Sequence, residues 1–70
     1  MKEFLEKVAD VLDLPGTEPD FEFRTAESWS SLAGFSLAVM IEQDYGKALT
    51  PEEFRAARTV ADLAAAAGVA

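Results

Sequence analysis

The sequence predicts an all-α domain, a small four-helix bundle with a long first loop and a short third helix. Apolar residues recur at helical spacing in two segments, and two later segments open with threonine followed three residues on by an acid. No two segments alternate in the way that paired β-strands do. Seventy residues suffice for one modest core, so residues 1–70 are interpreted as a single domain.

The first helix is predicted from the spacing of its apolar residues, because acids and lysines occupy the rest of the helical wheel. These apolar residues are Phe4, Leu5, Val8, Val11 and Leu12. Leu14-Pro15-Gly16 follows them. We expect this tripeptide to end the helix, since the residue before a proline disfavours helical geometry and glycine accepts the turn.

The connection over residues 15–30 is too long for a bare turn. It carries Phe21, Phe23 and Trp29, and we expect these rings to pack on the helices, which predicts an ordered loop. The segment from Phe21 to Phe23 alternates as a strand does, but nothing in the sequence can pair with it. It is therefore predicted to be an extended loop.

From Ser31 the helical pattern resumes and divides into two stripes. One stripe consists of Leu37, Ile41 and Tyr45, and the other of Leu32, Phe35 and Val39. Both stripes cannot face inward on one helix. The stripe that begins at Leu37 suits the core better.

The last two helices are predicted from their first residues. Thr50-Pro51-Glu52-Glu53 supplies a threonine cap, a proline in the first helical position and a glutamate that completes a capping box. Thr59-Val60-Ala61-Asp62 repeats this signal in a weaker form before an alanine-rich run. Gly46 and Gly68 are expected to cap the ends of the second and fourth helices.

Composition excludes several classes of function. The net charge of −7 argues against nucleic acid and anionic membrane surfaces as partners and favours a basic protein. Without cysteine or histidine the chain lacks disulfides, thiolate metal sites and the usual general base, so self-contained catalysis is not expected. The charged N-terminal segment predicts neither a signal peptide nor a membrane span, and we interpret the chain as a cytoplasmic monomer.

Ser28, Ser30 and Ser31 crowd the start of the second helix. A serine before an apolar periodic run is usually an N-cap, but a cap accounts for only one of the three. If Ser30 is the cap, Ser31 occupies the first helical position at an exposed junction. Its hydroxyl would then lie at the positive end of the helix macrodipole, which favours an attached phosphate.

Residues 29–64 resemble the acyl carrier protein family in an ungapped register. The matching positions are Ser31-Leu32, Leu37, Ile41, Tyr45, Leu49, the box from Thr50 to Glu53 and the run from Thr59 to Leu63. The family pattern at its modification site is aspartate-serine-leucine, often preceded by tryptophan, and this chain has Trp29-Ser30-Ser31-Leu32. The resemblance implies that Ser31 carries a covalent 4'-phosphopantetheine and that Ser30, the helix cap beside it, replaces the aspartate.

The resemblance also implies a function. The chain would hold an acyl group as a thioester on this arm and present it to enzymes of fatty-acid, polyketide or related acyl metabolism. The implied partners are a phosphopantetheinyl transferase and acyl-transferring, acyl-activating or condensing enzymes. Because Ser30 offers no carboxylate, a degenerate carrier-like docking module without the arm is the alternative. A small enzyme is the least favoured reading, since the sequence has no glycine-rich phosphate loop and no nucleophile elbow.

In the family the serine-side face of the second helix contacts partner enzymes. The resemblance therefore assigns partner binding to Leu32, Phe35, Val39, Glu42 and Gln43. Ala33, Ser36 and Gln43 occupy positions where carriers of fatty-acid synthesis usually show acids. We expect docking on this face to depend more on apolar contact, and less on charge, than is usual in the family.

Overall fold

The computed structural model describes residues 1–69 and confirms the all-α fold with a long first loop and a short third helix. Its elements are α1 (Lys2–Val11), a 3-10 turn (Phe23–Thr25), α2 (Ser31–Tyr45), α3 (Pro51–Ala56) and α4 (Val60–Ala67). Helix α1 packs against both α2 and α4. None of the helices within residues 1–69 has the length and apolar character needed to cross a bilayer.

Helix α1 buries the stripe that the sequence predicts but ends earlier than expected. Phe4, Val8 and Leu12 have no exposed surface. The chain then leaves the helix at Asp13, whose φ of 57° is left-handed. The Asp13 amide donates to the Asp10 carbonyl at 3.2 Å and the Leu14 amide to the Ala9 carbonyl at 2.8 Å, the pattern of a Schellman motif.

The prediction that Leu14-Pro15-Gly16 ends this helix, with glycine in the turn, was therefore wrong in its details. Positive φ values occur at Gly46 and Gly68 among the glycines, and not at Gly16. An aspartate can adopt the left-handed conformation at modest cost, so no glycine was required.

The long loop is ordered, as predicted, because its aromatic side chains pack on the core. Phe23 is fully buried, and Phe21 and Trp29 are half-buried against the core cluster. The prediction that Phe21 to Phe23 is extended was wrong at Phe23. Glu22 is extended, but the chain then forms the 3-10 turn, which points the Phe23 ring into the core.

Backbone hydrogen bonds fix the loop to the start of α4. The amide of Val60 donates to the carbonyl of Phe21 at 3.0 Å, and that of Ala61 donates to the carbonyl of Pro19 at 2.8 Å. The first amides of a helix have no partner within the helix. The loop therefore satisfies two donors that would otherwise face water.

Helix α2 contributes the stripe predicted for the core. Leu37 and Ile41 are fully buried, and Tyr45 is half-buried with its ring edge-on to Phe4 at a centroid distance of 5.4 Å. Gly46 caps the helix with φ of 68°, as predicted.

Both predicted capping boxes are present. The hydroxyl of Thr50 accepts from the amide of Glu53, whose carboxylate accepts from the Thr50 amide; Thr59 and Asp62 repeat the arrangement. Backbone amides donate hydrogen bonds to the carboxylates of Glu53 and Asp62, and these bonds lower the pKa of both side chains. Gly68 closes α4 with φ of 80°, as predicted.

Candidate functional site

The three serines before α2 have different surroundings. The Ser28 hydroxyl donates to the Leu12 carbonyl and so fixes the end of the loop to the end of α1. Ser30 is the helix cap, with extended backbone and a hydroxyl that accepts from the Ala33 amide at 3.2 Å. Ser31 is the first residue of the helix and is exposed. It is the serine whose hydroxyl neither caps the helix nor ties down the loop.

The position of Ser31 favours a negatively charged substituent. Helix α2 has 15 residues, and its first turn contains no acidic side chain. The first backbone amides of a helix carry partial positive charge and lack intrahelical acceptors. A phosphate ester on the Ser31 hydroxyl would lie beside these amides, which would stabilise its charge.

An apolar groove begins at Ser31 and lies between α2 and α3. Its volume is about 350 Å³. Its lining residues are Trp29, Ser31, Gly34, Phe35, Ala38, Leu49, Thr50, Pro51 and Phe54. None of these side chains is charged. A group attached to Ser31 would therefore meet an uncharged and mostly apolar surface.

Gly34 accounts for the close packing at one end of this groove. A Cβ atom at residue 34 would lie 3.3 Å from two atoms of the Trp29 indole and 3.6 Å from the Phe54 ring. Trp29 and Phe54 are stacked, with a centroid distance of 6.4 Å and an interplanar angle of 19°. Glycine inside a helix is destabilising by about 1 kcal/mol relative to alanine. Here it makes room for the indole beneath the first turn of α2.

Four of the five residues predicted to bind partners line adjoining grooves on the surface of α2, and Leu32 lies apart from them. Phe35 and Val39 line two adjoining surface grooves, one shared with Gln43 and the other with Glu42. Phe35 is 67% exposed and Leu32 is 73% exposed, whereas Val39 is half-buried. Leu32 lies in the turn that carries Ser31 and lines neither groove. The exposure of Leu32 and Phe35 agrees with their predicted position outside the core.

This face of α2 is uncharged over most of its length. From Ser31 to Ile41 the sequence contains no Asp, Glu, Lys or Arg, and Glu42 is the first charged residue of the helix. Farther along, Asp44 forms an ion pair with Lys7 of α1 at 2.9 Å. The charged residues of α2 therefore lie in its last turns, away from Ser31.

A model of the protein family defined by the phosphopantetheine attachment site matches residues 2–67. The chain belongs to this family. The match includes α1 and the long loop, which the sequence resemblance alone did not cover. Comparisons with curated proteins and with solved structures gave no significant match.

Membership of the family implies a covalently attached 4'-phosphopantetheine, and the structure offers residues that fit such a group. Ser31 presents an exposed hydroxyl for a phosphodiester, at a helix N-terminus that favours the charge. The groove that starts at Ser31 gives the attached group an uncharged surface to rest on. The family is one of carrier proteins, which do not themselves catalyse reactions.

Sequence reasoning did not identify the groove beside Ser31. Its residues come from two separate segments, 29–38 and 49–54, which only the fold brings together. Gly34 was the available signal, because a glycine inside an apolar helical pattern usually has a packing reason. The partner of that glycine, Trp29, could be named only from the fold.

Proposed function

We propose that this protein is an acyl carrier that bears 4'-phosphopantetheine on Ser31 and presents acyl groups to enzymes of fatty-acid, polyketide or related acyl metabolism. One observation carries the proposal. In a chain that belongs to the phosphopantetheine family, Ser31 is an exposed serine at the first position of a capped helix, beside an apolar groove. As predicted from the sequence, we regard the carrier as a cytoplasmic monomer.

The chain itself supplies attachment and presentation. The Ser31 oxygen would hold the group through a phosphodiester, and the N-terminal amides of α2 would stabilise the phosphate charge. When bound, the group supplies the thiol that the cysteine-free chain lacks, and with it a thioester for an acyl group. The transferase and the acyl-handling enzymes supply the catalysis.

The proposed partner surface is the exposed face of α2 next to Ser31. Phe35 is its main anchor, because this large aromatic residue is 67% exposed. Large side chains that enter a partner's pocket contribute most of the affinity at interfaces. Leu32 adds apolar surface beside the modified serine, and Glu42 and Gln43 form the polar edge.

One observation favours the alternative, an unmodified docking module. Ser30 stands where the family pattern has an aspartate, so the carboxylate beside the target serine is missing. A module of this kind would use the same exposed side chains, Leu32 and Phe35, without the arm. The two functions differ in the mass of the protein.

The test is co-expression of the chain with a phosphopantetheinyl transferase, followed by mass spectrometry. We expect the wild-type protein to gain one arm and Ser31→Ala to gain none. Ser30→Ala is the matched control, because it removes a neighbouring hydroxyl and should lower stability by about 1 kcal/mol while leaving the attachment site in place. An arm on the Ser31→Ala protein would disprove the assignment of Ser31. A wild-type protein that stays unmodified would favour the docking module.

A further inference from the structure

Arg24, in the 3-10 turn of the long loop, reaches the end of α3. Its guanidinium donates to the carbonyl of Phe54 at 2.7 Å and also to the carbonyl of Ala57. Phe54 is the fourth of the six residues of α3, and Ala57 is the C-cap of that helix. Carbonyls at this end of a helix carry partial negative charge, so a cation is favoured there. The Phe54 carbonyl also accepts from the Ala57 amide, at 3.3 Å.

The same guanidinium lies against three aromatic rings. Its central carbon is 4.6 Å from the centroid of Phe23, 5.4 Å from that of Phe54 and 5.9 Å from that of Trp29. The rings also contact one another, since Phe23 is edge-on to Trp29 and Trp29 is stacked on Phe54. One side chain thus connects the loop, the end of α3 and the residue that precedes the Ser30-Ser31 pair.

Helix α3 has few other attachments. It has six residues, and none of them is buried. A helix this short does not persist without tertiary contacts. Its first turn has the Thr50 capping box, its middle has the half-buried Phe54 ring, and its end has Arg24.

One wall of the groove beside Ser31 is formed by α3 and by the two residues that precede it. Leu49, Thr50, Pro51 and Phe54 line this wall. The opposite wall belongs to α2, whose position is fixed by the buried residues Leu37 and Ile41. The width of the groove therefore depends on where α3 lies.

We propose that Arg24 is a positioning residue that holds α3 against the first turns of α2 and thereby fixes the groove beside Ser31. What this groove does for a carried acyl group rests on the proposed function. The role of Arg24 in placing α3 does not depend on that function. Arginine suits this role because a planar guanidinium can donate to two carbonyls while its face lies on aromatic rings. Lysine offers a single ammonium without that plane and should restore the placement only in part.

The first experiment uses the unmodified protein and measures amide hydrogen exchange by NMR. Arg24→Met keeps an apolar side chain in the aromatic cluster but removes both donors. We expect the amides of α3 to exchange about tenfold faster or more, with much smaller changes in α1 and in the core turns of α2. Arg24→Lys should fall between the wild-type protein and Arg24→Met.

Arg55→Met is the matched control. Arg55 is exposed in the last turn of the same helix. Its loss removes one positive charge near the same helix end and leaves the hydrogen bonds of Arg24 in place. Its exchange rates should stay near those of the wild-type protein. Equal acceleration in all helices of Arg24→Met would mean that Arg24 supports only global stability, and unchanged exchange in α3 would mean that α3 is held by other contacts. Either result would overturn the proposal.

The second experiment uses protein modified with an octanoyl-bearing arm and follows cleavage of the thioester by hydroxylamine. If the groove shelters the attached group, local opening of α3 should expose the thioester, and Arg24→Met should be cleaved at least about threefold faster than Arg55→Met. Equal rates, together with a loosened α3, would show that the groove does not shelter the group. Failure of Ser31 to accept the arm would refute the proposed function, while the exchange measurement would still decide whether Arg24 positions α3.

Discussion

Replacing Ser30 by aspartate restores the residue that the family pattern has before its modified serine. The cap geometry accepts this change. Ser30 has extended backbone, and its hydroxyl accepts from the Ala33 amide at 3.2 Å, a bond that an aspartate carboxylate also forms at N-caps. No acidic side chain in the first turn of α2 would oppose the new charge.

The expected effect on stability is small and favourable. A carboxylate at a helix N-terminus stabilises by about 0.3–1 kcal/mol at low ionic strength. In a domain of this size 1 kcal/mol corresponds to about 4–8 °C in the melting temperature, so we expect a rise of about 1–8 °C. The change from −7 to −8 in net charge acts in the opposite direction, and added salt should weaken both effects.

The functional readout is the rate at which a general-purpose phosphopantetheinyl transferase modifies the protein, followed by mass spectrometry. Ser30→Asp should be modified faster than the wild-type protein, because it presents the carboxylate that family members offer beside the target serine. Ser30→Asn is the matched control, since asparagine caps equally well without the charge. If folded Ser30→Asp stays unmodified while the transferase modifies an ordinary carrier, Ser30 is not the obstacle and the docking module becomes the better proposal. A fall in the melting temperature would refute the cap and dipole reasoning.

Two further predictions concern stability. Phe35→Ala should change the free energy of unfolding by less than about 0.5 kcal/mol because its ring is 67% exposed, whereas Leu37→Ala, in the core, should cost about 2–5 kcal/mol. Urea unfolding measures both, and equal losses would mean that Phe35 belongs to the core. The lowered pKa of Glu53 and of Asp62 means that the folded state favours their ionised forms, so their contribution is present at neutral pH and is lost as the pH falls through and below about 4. The melting temperature measured against pH should fall in this acid range, and the fall should be smaller in Asp62→Asn. An equal fall in the variant would contradict the assignment.

The helix boundaries that could be predicted from the sequence depend on local chemistry. The hydroxyls of Thr50 and Thr59 accept from amides three residues away. Gly46 adopts the left-handed backbone conformation that glycine readily accepts at the end of a helix. The end of α1 was misplaced because Asp13 adopts a conformation that glycine takes more often. Sequence alone pointed to Pro15-Gly16, the more usual signal.

The site could be predicted in part for the same reason. The cap at Ser30 and the exposure of the neighbouring hydroxyl follow from the start of one helix. The contact of Arg24 with the Phe54 carbonyl joins positions 30 residues apart, and the groove joins residues of α2 and α3. No local pattern indicates such contacts. An arginine in a loop is ordinarily solvated, so nothing in the sequence distinguished Arg24 from the other cations.

The packing of Trp29 gives the protein a built-in optical reporter. It is the one tryptophan in the sequence, and its indole lies beneath the turn that carries Ser31 while it is stacked on Phe54 of α3. Emission from an indole depends on the polarity of its surroundings and on the groups that touch it. A change in tryptophan emission therefore reports on one place, the junction between the first turn of α2 and α3. If Ser31 carries the arm as proposed, its attachment can be followed in real time without any added label.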